Sequence, residues 1–281
     1  MKITILLVFL TLTILVLVGC KSKQKEFVSE VKNEFRAQET STLKIITEED
    51  LINLPEAVRK YIKNCGAVGK PRPYNMYIEF ETELLQNPGA EPFRSVSLQY
   101  NFFGEPARFF YMRASKMMIP VDALHVYKNK KATFVVRAAS LFNVVDQSGA
   151  QLSETETVTL LNDWCIFAPG NLIDERLKWE EISAREVKVI FTNGPYTVSA
   201  FMTFNTEGWL TNFYSEDRSE LKEDGTLEKK KWSTPVRNYI DINGMKLPGY
   251  GEAVYHYGDS TFAYGRFTLK NIEYNLRTFK D

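Results

Sequence analysis

Over most of its length the chain alternates apolar and polar residues at period two, and turn dipeptides cut the alternation into short pieces. Leu98, Tyr100 and Phe102 oppose Ser97, Gln99 and Asn101, and Val198, Ala200, Met202 and Phe204 oppose Thr197, Ser199 and Thr203. Asn193-Gly194, Asp224-Gly225 and Asn243-Gly244 fall between such runs, where positive φ angles are needed for tight hairpins. Roughly ten or more antiparallel strands follow one another in this way. Helices are too few to cover both faces of a parallel sheet, so the pattern predicts a mainly β fold. That fold is a single strongly curved antiparallel sheet or an open β-barrel, with a few short helices as plug or lid.

Two segments read as helices. In Leu54–Gly66, the residues Val58, Tyr61, Ile62 and Cys65 fall on one stripe, Pro55 suits the first turn and Gly66 the exit. The second begins at Ser153, whose hydroxyl can cap Glu156 while that carboxylate reaches back. It carries Val158, Leu161 and Trp164 on one side and stops at Ala168-Pro169-Gly170. It has a greasy side and an acidic side, and the apolar stretch Trp164–Pro169 suits a lid at a cavity mouth. Asp146-Gln147-Ser148-Gly149 just before it reads as a turn.

The N-terminus sets the address. An unbroken apolar run from Ile3 to Val18 follows Lys2 and ends in Leu17-Val18-Gly19-Cys20, which resembles a bacterial lipoprotein signal cut before a lipidated Cys20. The competing reading is an uncleaved anchor, about 17 apolar residues being near the lower limit for a span. Both place the body in the cell envelope, outside the cytoplasm and held to a membrane. Lys21 favours the outer membrane in a host with two. Residues 1–20 are thus the signal. Residues 21–46, rich in Lys, Glu, Ser, Gln and Thr, read as a flexible tether, although Phe27, Val31 and Phe35 at four-residue spacing allow a short interfacial helix. Residues 47–281 are long enough for one β-rich domain.

Charge narrows the partners. Lys plus Arg and Asp plus Glu are 35 each, which argues against nucleic acid, whose binders need a basic face. Lys229-Lys230-Lys231 reads as a solvated strand edge. Cys65 and Cys165 sit at apolar helix positions, as buried thiols or, if brought together, a disulfide. Only His125 and His256 exist. There is no paired-His helix, cysteine pair, calcium loop, phosphate-binding loop or nucleophile elbow, so no metal and no cofactor is expected. Asp146, Asp163, Glu216 and Asp217 are candidates for acid and base work only if folding brings two of them together.

Aromatic residues are abundant, with 19 Phe, 14 Tyr and 4 Trp, and Phe102, Phe103, Phe109, Phe110 and Tyr111 cluster. Such residues fill cores, but they also line binding cavities. Phe102, Phe110, Val158, Leu161, Trp164 and Phe167 are the candidate wall of a hydrophobic ligand site.

From Leu54 onward the order of landmarks is familiar. Leu54-Pro55 with Val58 and Tyr61, Gly69-Lys70-Pro71, Leu141–Asp146 with Ser148-Gly149, Trp164 with Phe167 and Pro169, Lys178-Trp179-Glu180, Phe204-Asn205 with Gly208, and Ile272-Glu273-Tyr274-Asn275 together resemble a bacterial family of unknown function. Its members often have an N-terminal membrane segment. The resemblance implies one β-rich domain and supplies no catalytic residue. Where that family carries Arg-Tyr-Leu in the second helix this chain has Val158-Thr159-Leu160, and His125 stands at an acidic position. At fold level the chain is also similar to lipoprotein-localisation carriers, whose half-barrels hold acyl chains under a helical lid. The function expected is noncatalytic binding of a lipid or acyl chain within the curved sheet. The alternatives are a scaffold recruiting another envelope protein and, more weakly, a carboxylate-dependent envelope hydrolase.

Overall fold

The computed structural model of the chain describes residues 22–38, 43–116, 119–139, 142–222 and 224–280. The expected signal and Cys20 lie outside the described residues. Six strands come first: β1 (Asn75–Leu84), β2 (Phe93–Phe102), β3 (Ala107–Lys116), β4 (Ile119–Lys128), β5 (Lys131–Ala138) and β6 (Phe142–Ser148). After a helix, β7 (Leu177–Ser183), β8 (Glu186–Asn193), β9 (Tyr196–Phe204) and β10 (Leu210–Ser215) follow. The small hairpin β11 (Ser219–Leu221) and β12 (Leu227–Lys229) comes next, then β13 (Trp232–Ile242), β14 (Met245–Tyr257) and β15 (Ser260–Tyr274). All but the small hairpin form one 13-stranded sheet in the order β6-β5-β4-β3-β2-β1-β15-β14-β13-β10-β9-β8-β7. Neighbouring strands in it are antiparallel throughout. The sheet is therefore two meanders joined where β1 pairs with β15, and it stays open because β6 and β7 are its edges.

Its turns follow from local chemistry. Asn243 and Gly244 both take positive φ, 52° and 72°, and turn β13 into β14, as a two-residue hairpin of this hand requires.

Among the described residues three α-helices pack on the sheet: α1 (Lys23–Ala37), α2 (Glu56–Asn64) and α3 (Ala150–Phe167). Helix α2 lies where the sequence places it and buries Val58, Tyr61 and Ile62. Helix α3 links the two meanders and touches β5 and β6 near one edge, β9 and β10 near the other, and β14 between them. The sheet must bend around it to make all these contacts. Every residue of α3 from Thr155 to Ile166 is buried, so it is a plug inside the curve.

Three expectations are corrected here. Residues 23–37 are not a flexible tether: Phe27 and Val31 are fully buried, Phe27 stacks on Tyr111 at 5.5 Å and Phe35 meets Phe102 edge-on at 5.0 Å. The four-residue spacing of three apolar side chains on one helical stripe outweighs the polar composition around them. Ser153 is not the cap of α3. The helix starts at Ala150 after Gly149, with φ 114°, while Ser153 Oγ donates to the Gly149 carbonyl at 2.7 Å and accepts from Ala132 N at 2.9 Å. Asp146–Ser148 is strand, paired with Thr133–Val135, because ladder bonds to β5 replace the local turn. Helix α3, enclosed on both sides, fills the place expected of a helical plug or lid. Cys65 and Cys165 are both free and buried.

Candidate ligand cavity

Helix α3 presents two different stripes to the interior. Val158, Leu161, Trp164 and Cys165 form the apolar one, all fully buried. Trp164 is clamped between Phe103 at 5.3 Å and Phe191 at 5.2 Å, with the Arg176 guanidinium 5.1 Å from its ring. The other stripe, at helical spacing, is Leu152, Thr155, Glu156, Thr159, Asn162, Asp163, Ile166 and Phe167, and it faces a cavity of about 420 Å³ between α3 and the sheet. This is within the size range of small-molecule sites, about 300–1,000 Å³. The opposite wall is mainly apolar, with Phe80 on β1, Phe110 on β3, Phe134 on β5, Trp232 on β13, and Phe262 and Phe267 on β15. Alternation aims every second residue of these strands inward.

The floor of the cavity is charged. Asp163 Oδ2 accepts from Arg108 Nε at 2.8 Å, Gln99 Nε2 at 2.9 Å and Asn101 Nδ2 at 3.0 Å. The Arg108 fork also donates to Gln99 Oε1 at 2.9 Å and to His125 Nδ1 at 3.0 Å. A short distance along α3, Glu156 Oε1 lies 3.4 Å from Arg218 NH2. Arg218 also reaches Thr159 Oγ1 at 3.2 Å and the Tyr255 hydroxyl, and its guanidinium sits 4.6 Å from the Trp232 ring centre. Each guanidinium thus has one carboxylate partner, as buried charges require.

Burial sets the protonation states. It pushes His125 down to about 4, with Arg108 and Arg218 acting in the same direction and Glu156 opposing; the imidazole is therefore neutral at neutral pH. Because Nδ1 accepts from Arg108, the ring proton sits on Nε2. Burial pushes Glu156 up, but His125, Arg218 and Arg108 around it draw its carboxyl below the usual range. Asp163 is raised by burial despite Arg108 and Asn101.

The hairpin of β11 and β12 closes one side. Ser219, Glu220, Leu221 and Leu227 line the cavity while the tip at Asp224–Thr226 is exposed. Ser219 N donates to Thr155 Oγ1 at 3.1 Å, Gln151 Nε2 to the Leu227 carbonyl at 2.8 Å, and Lys229 pairs with Glu154 at 3.2 Å.

Among the candidate wall residues, Phe110 and Phe167 line the cavity. The other four do not. Phe102 faces α1 on the far side of the sheet, and Val158, Leu161 and Trp164 belong to the packed stripe of α3. The cluster from Phe102 to Tyr111 is split: Phe102, Phe109 and Tyr111 join the outer group with Phe27 and Tyr100, Phe103 enters the inner core, and only Phe110 reaches the cavity. Of the candidate carboxylates Asp163 is on the floor. Asp146 is held by Asn143 on edge strand β6, and Asp217 accepts from Ser199 N at 2.8 Å. Sequence reasoning missed Gln99, Asn101, Arg108, Glu156 and Arg218. The signal that bore on them was the polar face of β2 and the Thr155-Glu156-Thr159-Asn162-Asp163 stripe, both of which read as solvent-facing.

A bent antiparallel sheet wrapped around a buried helix, with an apolar cavity over a paired-charge floor, defines a class of half-barrel protein. Residues 44–267 match the family of unknown function DUF6544, and the chain belongs to that family. No curated protein matches the chain in sequence. Its structure is similar to that of a DUF1329 family protein from Desulfovibrio piger, at 8% identity and a TM-score of 0.41, covering 73% of this chain and 87% of that one. A LolA superfamily protein from Nitrosomonas europaea is similar at 10% identity and a TM-score of 0.39, covering 78% and 92%. A domain named for outer membrane lipoprotein sorting, from Vibrio parahaemolyticus, gives 8% identity and a TM-score of 0.35, covering 71% and 85%.

Proposed function

We propose that the protein is an envelope lipoprotein, anchored through Cys20, that binds a hydrophobic ligand such as a lipid or acyl chain without transforming it. One observation carries the binding step: the interior is hollow, with a cavity of about 420 Å³ whose wall is aromatic and aliphatic. A sheet that needed only to be stable would fill this space, because unfilled apolar volume costs about 24 cal/mol per Å³. The apolar wall gains from covering an alkyl chain, about 0.8 kcal/mol for each methylene removed from water. Polar groups at the floor fix which end of the guest enters. The anchor keeps the cavity within reach of a bilayer, and several chains on one cysteine make release slow.

The test is lipid extraction from the purified full chain, followed by mass spectrometry. Noncovalent lipid in near-stoichiometric amount is expected, and Ala253→Phe, which puts a ring into the cavity from β14, should abolish it. A protein that carries no extractable lipid and does not take up an environment-sensitive acyl dye would refute the reading.

A further inference from the structure

We infer that the cavity, taken as the amphiphile site proposed above, selects a guest with an uncharged hydroxyl head over an acyl carboxylate, the hydroxyl bridging His125 Nε2 and Glu156 Oε2. The argument begins with charge pairing at the floor. Arg108 is taken by Asp163 at 2.8 Å and Arg218 by Glu156 at 3.4 Å, which leaves no unopposed cation there to receive an anion. The second step is an unmet donor. His125 is 5% exposed and lines the cavity, its Nδ1 accepts from Arg108, and its Nε2 makes no hydrogen bond. A buried N–H left in that state costs free energy until an acceptor arrives.

The acceptor must also tolerate its neighbour. Glu156 Oε2 lies 3.3 Å from His125 Nε2, too poorly aligned to take its proton. Less than 1 Å² of Nε2 is exposed, so an oxygen at about 2.8 Å from both atoms enters by parting these two side chains. A hydroxyl suits the place because it accepts from the imidazole and donates to the carboxylate. An acyl carboxylate has no proton to give, and it would stand beside Glu156 in a site of low dielectric, where like charges repel strongly. Fatty alcohols and monoacylglycerols have the required head; fatty acids do not.

The experiment places the full chain in phosphatidylcholine nanodiscs at neutral pH and offers lauryl alcohol, monolaurin and lauric acid together, reading occupancy by native mass spectrometry. The alcohol and the monoester should exceed the acid by about tenfold. His125→Phe should cut alcohol binding about tenfold and leave the acid where it was. Glu156→Gln leaves Arg218 unopposed and should raise acid occupancy relative to alcohol by about tenfold, a ratio in which partitioning into the bilayer cancels. Acid binding equal to or above alcohol in the unmodified protein would overturn the inference while leaving the lipid-binding reading intact. So would an unchanged acid-to-alcohol ratio in folded Glu156→Gln protein. If none of the three guests binds, both fall together. If Glu156→Gln fails to fold, the unmodified protein and His125→Phe still decide.

Discussion

The two faces of β2 differ in what they were given to cover. On one, Leu98, Tyr100 and Phe102 meet α1 and the C-terminal Phe279, and rings pack against rings with Tyr100 and Phe102 fully buried. On the other, Ser97, Gln99 and Asn101 are just as deeply buried; Ser97 bonds Thr82, while Gln99 and Asn101 hold Asp163 of the charged network at the edge of open space. The greasy face is the finished one, and the polar face is turned to the cavity. Burial and polarity are thus decoupled here: the outer face contributes stability, and the inner face keeps polar groups oriented at a cost in stability.

This contrast can be broken from either side. The largest effect is expected from Arg108→Met, which leaves Asp163 buried without its counter-ion; chemical denaturation should show a loss of up to about 5 kcal/mol. Adding Asp163→Leu should restore part of it, because removing both charges is far cheaper than removing one. Phe27→Ala, on the finished face, should cost about 4 kcal/mol by the same measurement. Unlike the floor variant, it should leave lipid occupancy of the folded protein unchanged.

Acidification sharpens the contrast. His125 takes up its proton near 6.5 when unfolded and near 4 when folded, so the unfolded state binds more protons between those values. Stability should therefore fall as pH drops through that window, by about 3 kcal/mol for a shift of this size. A set of melts in buffers from neutral to acid should show His125→Gln losing this component. The smallest effect is expected of Phe167→Ala. That ring meets Phe80 at 5.3 Å but already borders open volume, so about 2 kcal/mol is expected in thermal melts, below the usual cost of such a truncation because less packing is lost. Its clearer signature should be a change in the length of chain recovered with the protein.

The same contrast explains what could be read from the sequence. Period-two alternation gave the strands, and Asn243-Gly244 gave a hairpin at the right place, because both are local. Alternation says that two faces differ; it does not say which one looks onto a ligand. Phe102 reads as a candidate wall residue because nothing local reveals that α1 covers its face of β2. The acidic stripe of α3 had the spacing of a solvent face, and only the curve of the sheet encloses it. Pairings such as Arg108 with Asp163, 55 residues apart, depend on that curvature and leave no trace in spacing. Phe110, singled out in the aromatic cluster, and Phe167, in the apolar stretch that ends the second helix, do border the cavity.

The junction of β1 with β15 has a consequence for how the chain is assembled. The first strand of the sheet waits for the last one made, so each meander can zip up from neighbours close in sequence, but the central seam closes only when the C-terminus arrives. Until then both arms carry a raw edge of unpaired amides and carbonyls, a template for joining other chains. A chain cut short before Ser260 should therefore be caught by quality control or aggregate, however well its arms have formed.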